Sequence, residues 1–286
     1  MSTFKQSTAC CTVPPIDPKE VTYSPKGNYQ NVGGLRTCIL PFSFSARVSQ
    51  VTLQVCHAND FYYHTDITGD DFSHPPTHAL VVLYDIFAFH SNTLRGADIL
   101  ATSGDRSYLV LMPDFFEGKV ADWDWYPDDT PEKTEKLEGF LSGPGNTEKT
   151  VEKVMMVQKE ASEKWKGVQK WGVLGYCWGG WVVSYCSGPS TPFSAVAQLH
   201  PGFVGKNIAE KIIIPVLAIA SKDEPEERVK RFMNELNPNI SYKNYAIFPK
   251  MEHGWLSARG DLEKEEVKEA YEEGYKMMLD FFGEWM

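Results

Sequence analysis

The sequence predicts an α/β fold whose central sheet is mostly parallel and is covered by helices on both faces. From residue 79 onwards, apolar runs of strand length alternate with segments of helical period, which is typical of strands joined by helical crossovers. A glycine-rich turn joins one such strand to the next helix, and polar residues directly follow other strands. With 286 residues and 42% hydrophobic content, the chain can bury one substantial core, so we expect a single domain over 1–286.

The amino-terminal part shows the weakest pattern. Residues 1–35 are rich in Pro, Ser, Thr and Gly and are predicted to wrap the surface. Segments 37–40 and 48–57 alternate between apolar and polar residues, which favours two short strands in an antiparallel pair at a sheet edge. Residues 58–78 are polar, contain a Pro-Pro pair and are predicted to form a loop.

The remaining elements are predicted from period and capping. Strands are expected at 79–83, 108–112, 172–174, 195–199, 216–220 and 242–248. Helices are expected at 92–102, 132–141, 147–166, 179–186, 226–234 and 262–282. Thr147 is the predicted cap of the third helix, and Gly188-Pro189 ends the fourth.

Composition argues against several functional classes. The formal net charge of −10 disfavours nucleic acid or an anionic membrane as a partner. No apolar run is long enough for a membrane span, and the amino end shows no secretory signal, so we expect a cytoplasmic protein. The six cysteines include no C-x-x-C pair and no interleaved histidines, which predicts neither a disulfide framework nor a metal site.

The segment Gly175-Tyr-Cys177-Trp-Gly179 has the pattern of a nucleophile elbow, with cysteine where serine is usual. A side chain two residues before or after the nucleophile would collide with the adjoining strand or helix, which accounts for both glycines. The turn directs the thiol at a helix amino end, whose N–H groups favour a thiolate and can bind a substrate oxyanion. The alternative is a packed core thiol, the commoner role of a buried cysteine.

Two downstream residues complete the order nucleophile, acid, histidine that is typical of α/β-hydrolases. Asp223 and His253 each follow an apolar run of strand length. With Cys177 they are predicted to form a triad in which His253 is the general base and Asp223 orients its imidazole. A strand-end cap is the alternative role for Asp223, and Glu224 is a rival for the acid, one residue further along.

Further motifs lie at the other strand ends. They are Tyr84-Asp-Ile-Phe87, Gly175-Tyr-Cys-Trp-Gly-Gly180, Ser221-Lys-Asp-Glu-Pro225, His253-Gly-Trp255 and Arg259-Gly-Asp261. Together they resemble the dienelactone hydrolase family, most closely its fungal branch, and imply an α/β-hydrolase fold. The resemblance extends from about residue 76 to the carboxyl end and loosely over 27–38. Region 41–75 departs from the family, which has a short connection there, and is either an insertion or a misassigned stretch.

The resemblance implies roles for residues beside the elbow. Ile86 and Trp178 would each offer a backbone N–H to the oxyanion. Asp85 stands where the family usually has a glutamate that contacts the resting cysteine; it is one methylene shorter, and a turn-forming strand-end aspartate is the alternative. Ala88 stands where the family often has glycine.

Three residues are predicted to contact the substrate. Arg259 lies past His253 and resembles the family's arginines that hold a substrate carboxylate, with an ion pair to a neighbouring acid as the alternative. Phe87 and Trp255 are the aromatic residues that we assign to an apolar pocket. His200 follows another predicted strand and is expected to pack near the site in a structural role.

We therefore expect a hydrolase that acts on a small-molecule ester, enol ester or lactone through an acyl-thioenzyme on Cys177. No cofactor is expected, because the nucleophile, the base and the oxyanion donors are all protein groups. Thioesterase and carbon–carbon bond hydrolase are alternatives within the enzymes. A binding or redox-sensing protein that keeps the fold without turnover is the alternative from another class. Either a monomer or a homodimer is compatible with the sequence.

Overall fold

A computed structural model describes residues 23, 26–40, 76–106 and 108–286. Within this part of the chain the strands are β1 Asn28–Val32, β2 Leu35–Leu40, β3 His78–Leu83, β4 Leu109–Pro113, β5 Lys170–Tyr176, β6 Ala195–Leu199, β7 Val216–Ser221 and β8 Lys243–Phe248. The expected strand at 48–57 and the possible insertion at 41–75 lie outside the described residues.

The described strands form one sheet in the order β1-β2-β4-β3-β5-β6-β7-β8. Strands β3 to β8 run parallel to one another, and only β1 and β2 are antiparallel to their neighbours. The predicted mostly parallel α/β sheet is confirmed. Every residue of β4, β6 and β7 is buried, which explains why these strands appear in the sequence as continuous apolar runs.

The antiparallel edge differs from the prediction. Strand β2 contains the expected strand at 37–40, but its described edge partner is β1, with Val32 opposite Leu35. Gly33 and Gly34 adopt φ values of +60° and +74° and close a tight hairpin, as expected when both turn residues have positive φ. Part of the segment 1–35, which is predicted to wrap the surface, therefore forms an edge strand, β1, and this turn.

The described helices are α1 Ser91–Thr102, α2 Pro131–Ser142, α3 Thr147–Lys164, α4 Trp178–Cys186, α5 Lys206–Ala209, α6 Glu226–Glu235 and α7 Glu265–Trp285. The short α5 and a 3₁₀ turn at Trp123–Trp125 add to the predicted set. Asn146, rather than Thr147, caps α3, since its side chain accepts a hydrogen bond from the Lys149 N–H. No helix in the described ranges is both long and apolar enough to cross a membrane.

Two glycines of β5 show that helices cover both faces of the sheet. A Cβ atom on Gly172 would meet Met286 and Phe282, at the end of α7. A Cβ atom on Gly175 would instead meet Gly179, in α4. Because positions three apart on a strand point to opposite faces, α7 and α4 lie on opposite sides of the sheet.

Strand direction brings polar residues to one edge of the sheet. Asp85, Cys177, His200, Glu224 and His253 come shortly after β3, β5, β6, β7 and β8, respectively. All five strands are parallel, so their carboxyl ends share an edge, where open α/β sheets form their binding sites.

The close packing of β5 on α4 yields a stability prediction. A Cβ atom on Gly175 would lie 2.2 Å from the backbone carbon and oxygen of Gly179, so Gly175→Ala must force the strand and the helix apart. We expect a loss of about 3 kcal/mol in the free energy of unfolding, measured by urea denaturation. The control is Gly139→Ala in α2, where nothing lies within 4 Å of the added carbon.

Gly139→Ala should raise the free energy of unfolding by about 0.5–1 kcal/mol, because alanine is the better helix former. Equal unfolding midpoints for Gly175→Ala and the parent protein would contradict the tight contact between β5 and α4.

Candidate active site

Cys177 lies in a strained turn between β5 and α4. Its backbone has φ +50° and ψ −109°, a conformation that non-glycine residues rarely adopt and that is found mainly at functional sites. The space around the turn is occupied on both sides, since a Cβ atom on Gly179 would lie 2.4 Å from the Leu83 carbonyl oxygen. The Cys177 N–H donates to the Leu199 carbonyl at 2.9 Å, which ties the turn to β6. The geometry is that of the predicted elbow.

Cys177 is also the N-cap residue of α4, so it lies directly at the amino end of that helix. Trp178 is the first residue of that helix and is fully buried; its indole N–H donates to the Gly145 carbonyl at 2.9 Å. Ile86 follows β3 and lines the same small cavity as Cys177. These are the positions from which the two predicted oxyanion N–H groups come, and their role in binding an oxyanion stays a prediction.

The carboxylate that faces the imidazole is Glu224, not Asp223. Glu224 Oε1 lies 2.5 Å from His253 Nδ1, and Oε2 accepts from the Ser221 N–H at 2.6 Å. Asp223 Oδ2 instead accepts from the backbone N–H of His253 at 2.8 Å. The prediction that Asp223 orients the imidazole is therefore corrected, because the turn after β7 directs the Asp223 side chain at the main chain of the next loop.

Burial and charge act in opposite directions on Glu224. Its side chain is 3% exposed, and burial by itself raises the pKa of the carboxyl. The facing imidazole of His253 and the hydrogen bonds from Ser221 outweigh this effect, so the pKa of Glu224 lies below its ordinary value. A charged Glu224 favours the cationic form of His253, as the acid of a triad should.

Asp85 is buried and hydrogen-bonded from three sides. Its Oδ1 accepts from the Phe87 N–H at 2.9 Å, and its Oδ2 accepts from the Ser257 hydroxyl at 2.6 Å and the Ala258 N–H at 3.4 Å. The bond to Phe87 is the turn-forming contact that we weighed as its alternative role. Asp85 also lines the cavity beside Cys177, and its predicted contact with the thiol stays a prediction.

The cavity at this edge of the sheet is small, about 10 Å³, which corresponds to about one water molecule. It is lined by Asp85, Ile86, Phe87, Cys177, His200, His253, Gly254 and Arg259. Cys177 and His253, the predicted nucleophile and base, therefore border the same space. A substrate can enter only if surrounding side chains move.

Phe87 and Arg259 both line this cavity, and Tyr126 packs against each of them. The Arg259 guanidinium carbon lies 5.8 Å from the centre of the Phe87 ring and 5.6 Å from that of Tyr126, within the range of a cation–π contact. Asp261, one of the neighbouring acids that could pair with Arg259, forms an ion pair with Lys264 at 3.0 Å. Trp255, by contrast, is 1% exposed and packs on Phe248 outside the cavity lining, so the structure gives it a packing role.

His200 is a site residue to which the sequence assigned only packing. It follows β6 with φ +37° and is fully buried. Its ring centre lies 4.8 Å from that of His253, and its Nε2 lies 3.4 Å from the Ser257 hydroxyl. Its place after a parallel strand was the one signal in the sequence. No group of three or more His, Cys, Asp or Glu residues that could hold a metal ion occurs in the described part of the chain.

Known proteins match both the sequence and the fold of this chain. The model of the dienelactone hydrolase family matches residues 69–286. The chain belongs to the dienelactone hydrolase family. Among curated relatives, an uncharacterized AIM2 family protein of Schizosaccharomyces pombe is 32% identical over 210 residues, covering 72% of this chain and 82% of that protein. A carboxymethylenebutenolidase homolog of Xenopus tropicalis is 27% identical over 214 residues, covering 73% and 82%.

A solved dienelactone hydrolase of Anabaena variabilis has the same fold. The two structures superpose with a TM-score of 0.59 at 11% identity, covering 92% of this chain and 100% of that chain. Ala88, which stands where the resemblance implies a frequent glycine, adopts φ +54°, a region that glycine alone reaches without steric cost.

Burial of His200 predicts a pH dependence of stability. Burial first, and then repulsion by His253 and Arg259, hold the pKa of His200 well below its ordinary value of 6.5. Between these two pKa values the unfolded chain binds a proton that the folded chain does not. Stability is therefore complete above pH 6.5 and falls as the pH decreases below it, by at most about 1.4 kcal/mol per pH unit for one group.

This effect can be measured by urea unfolding of the parent protein and His200→Phe between pH 5 and pH 8. The parent should lose stability below about pH 6.5, and the variant should lose less. His78, whose pKa is also lowered by burial, is present in both proteins and cancels in the comparison. Equal slopes would contradict a buried neutral His200.

Proposed function

We propose that this protein hydrolyses a small ester, enol ester or lactone through a covalent acyl-thioenzyme on Cys177. The observation that carries the proposal is the convergence of an elbow cysteine at φ +50° and a histidine held by a buried carboxylate on one cavity. Membership of the dienelactone hydrolase family supports hydrolysis as the reaction class.

In the acylation step, Cys177 Sγ attacks the substrate carbonyl carbon while His253 takes up the thiol proton. The carbonyl oxygen becomes an oxyanion, for which the backbone N–H groups of Ile86 and Trp178 are the proposed donors. Collapse of this intermediate breaks the bond to the leaving oxygen. His253 returns its proton to that oxygen, or to solvent where the leaving anion departs unprotonated, and is then neutral for the next step.

In the deacylation step, His253 removes a proton from a water molecule, which attacks the thioester carbonyl. The same oxyanion donors serve the second intermediate, and its collapse releases the carboxylic acid and regenerates the thiol of Cys177. Each step passes a proton through His253, so the orientation of its imidazole limits both. Glu224 is the proposed acid of the triad, since its carboxylate lies 2.5 Å from His253 Nδ1.

The wall of the cavity favours a planar, conjugated substrate. Phe87 presents an aromatic ring and Arg259 a guanidinium, which suits an unsaturated body that carries a carboxylate. A thiolate nucleophile suits good leaving groups such as enolates and phenolates, which need little acid assistance. We therefore propose that enol and phenyl esters are cleaved faster than alkyl esters. Thioesters and diketones are the alternative substrates.

The nucleophile can be tested with a matched cysteine. We expect Cys177→Ala to lower turnover of p-nitrophenyl acetate by on the order of 10³-fold or more and to abolish the acetyl adduct seen by intact-mass spectrometry. Cys186→Ala is the control, because Cys186 is a fully buried cysteine in the same helix and lies outside the cavity.

Cys186→Ala should keep both turnover and adduct. Equal, trace rates in the parent protein and Cys177→Ala would reject the hydrolase and favour the binding or redox-sensing protein. Comparable rates on ethyl and phenyl esters would reject the proposed leaving-group preference while leaving the nucleophile in place.

The identity of the triad acid can be tested with two adjacent residues. Glu224→Gln keeps the shape of the side chain but removes the charge that favours a cationic His253, so kcat should fall by on the order of 10³-fold. Asp223→Asn keeps an oxygen that can accept from the His253 backbone N–H, and kcat should fall by less than about 10-fold. The reverse order of these two effects would restore Asp223 as the acid.

A further inference from the structure

His200 occupies a strained position that holds two other parts of the site. It adopts φ +37°, and its N–H donates to the Ile219 carbonyl of β7 at 2.6 Å. Residues before and after His200 hold the elbow at Cys177. The Leu199 carbonyl accepts from the Cys177 N–H, and the Gly202 N–H donates to the Cys177 carbonyl. A backbone outlier of this kind persists only where its surroundings determine it, which is a reason to ask what the side chain does.

The His200 side chain is fixed between a hydrogen-bonded chain and the predicted base. The Ser257 hydroxyl donates to Asp85 at 2.6 Å, so its oxygen is left to accept from His200 Nε2–H at 3.4 Å. The His200 ring also contacts the ring of His253, with ring centres 4.8 Å apart and planes inclined at 68°. This is the edge-to-face geometry that aromatic rings prefer.

Acidic and basic side chains both lie around the His200–His253 pair. Asp85 and Glu224 follow β3 and β7, and Arg259 lies in the loop after His253. Cys177 lines the same small cavity as His200 and Arg259. Burial, His253 and Arg259 all lower the pKa of His200, so the ring is neutral while His253 exchanges protons. A neutral aromatic ring at this distance attracts a cation, whereas a second imidazolium would repel it.

We propose that His200 is a positioning residue that fixes the ring of His253 against Glu224 and stabilises its cationic form by an edge-to-face ring contact. The proposal rests on the proposed hydrolase function and extends it to a second histidine. His253 is then held on two sides, by the carboxylate at Nδ1 and by the His200 ring. With the imidazole fixed in this way, its Nε2 is kept available for the thiol and the attacking water.

The test compares two substitutions of similar size. His200→Phe keeps an aromatic ring beside His253, whereas His200→Leu removes it. We expect His200→Leu to lower kcat by about 10- to 100-fold with little change in KM. The acid limb of the pH profile of kcat/KM should move by about half a unit towards lower pH, because the cationic form of His253 loses a stabilising contact. His200→Phe should restore kcat to within about 3-fold and return the acid limb to its parent position.

Equal losses in both variants with an unmoved acid limb would mean that His200 only packs, and parent-like kinetics in His200→Leu would overturn the proposal as well. Turnover by the parent protein is measured alongside, so a failure of the proposed function is recognised separately.

A measurement on the parent protein remains decisive where a variant does not fold. Imidazole nitrogen and proton resonances are followed from pH 5 to pH 9 by NMR, which needs no turnover. We expect His200 to stay neutral with its proton on Nε2, with cross-relaxation between its ring protons and those of His253. A His200 that becomes protonated together with His253, or that shows no such cross-relaxation, would overturn the proposal.

Discussion

The site depends on the positive φ of Cys177, because this single turn fixes how β5, β6 and α4 meet. The turn reverses the chain from strand to helix within one residue, so nothing larger than a hydrogen atom fits at Gly175 or Gly179. Its N–H donates to Leu199, the last residue of β6, and its carbonyl accepts from Gly202, which follows that strand. The chain must bend between these two residues to reach both groups, and His200 takes up the bend with its own positive φ. The strain at two neighbouring strand ends thus has a common origin.

The two adjacent acids after β7 hold different parts of the same histidine. Glu224 reaches the imidazole, and Asp223 accepts from the backbone N–H of the same residue. One carboxylate fixes the ring and the other fixes the loop that carries it. Since backbone and side chain are held independently, His253 has little freedom to rotate away from the cavity, and preorganisation of this kind lowers the cost of each proton transfer.

Patterns local in the sequence were sufficient to predict most of the fold and part of the site. Cys177 and His253 could be predicted because a glycine-framed turn and a histidine after an apolar run are local features. The choice between Asp223 and Glu224 could not, since it depends on the turn after β7 and on where the next loop passes. His200 was assigned only to packing for a similar reason. Its role depends on a ring contact with a residue more than 50 positions away, which no local pattern records.

The burial of His200 has a consequence for the charge balance of the cavity. Arg259 already brings a positive charge to its lining, and a cationic His200 would oppose the formation of a second cation on His253. Burial removes that obstacle by keeping His200 neutral, while Glu224 supplies the compensating negative charge on the other side of His253. The neutral ring then contributes through its shape and its quadrupole rather than through a charge. A histidine suits the proposed positioning role here because burial lowers its pKa and so favours the neutral ring.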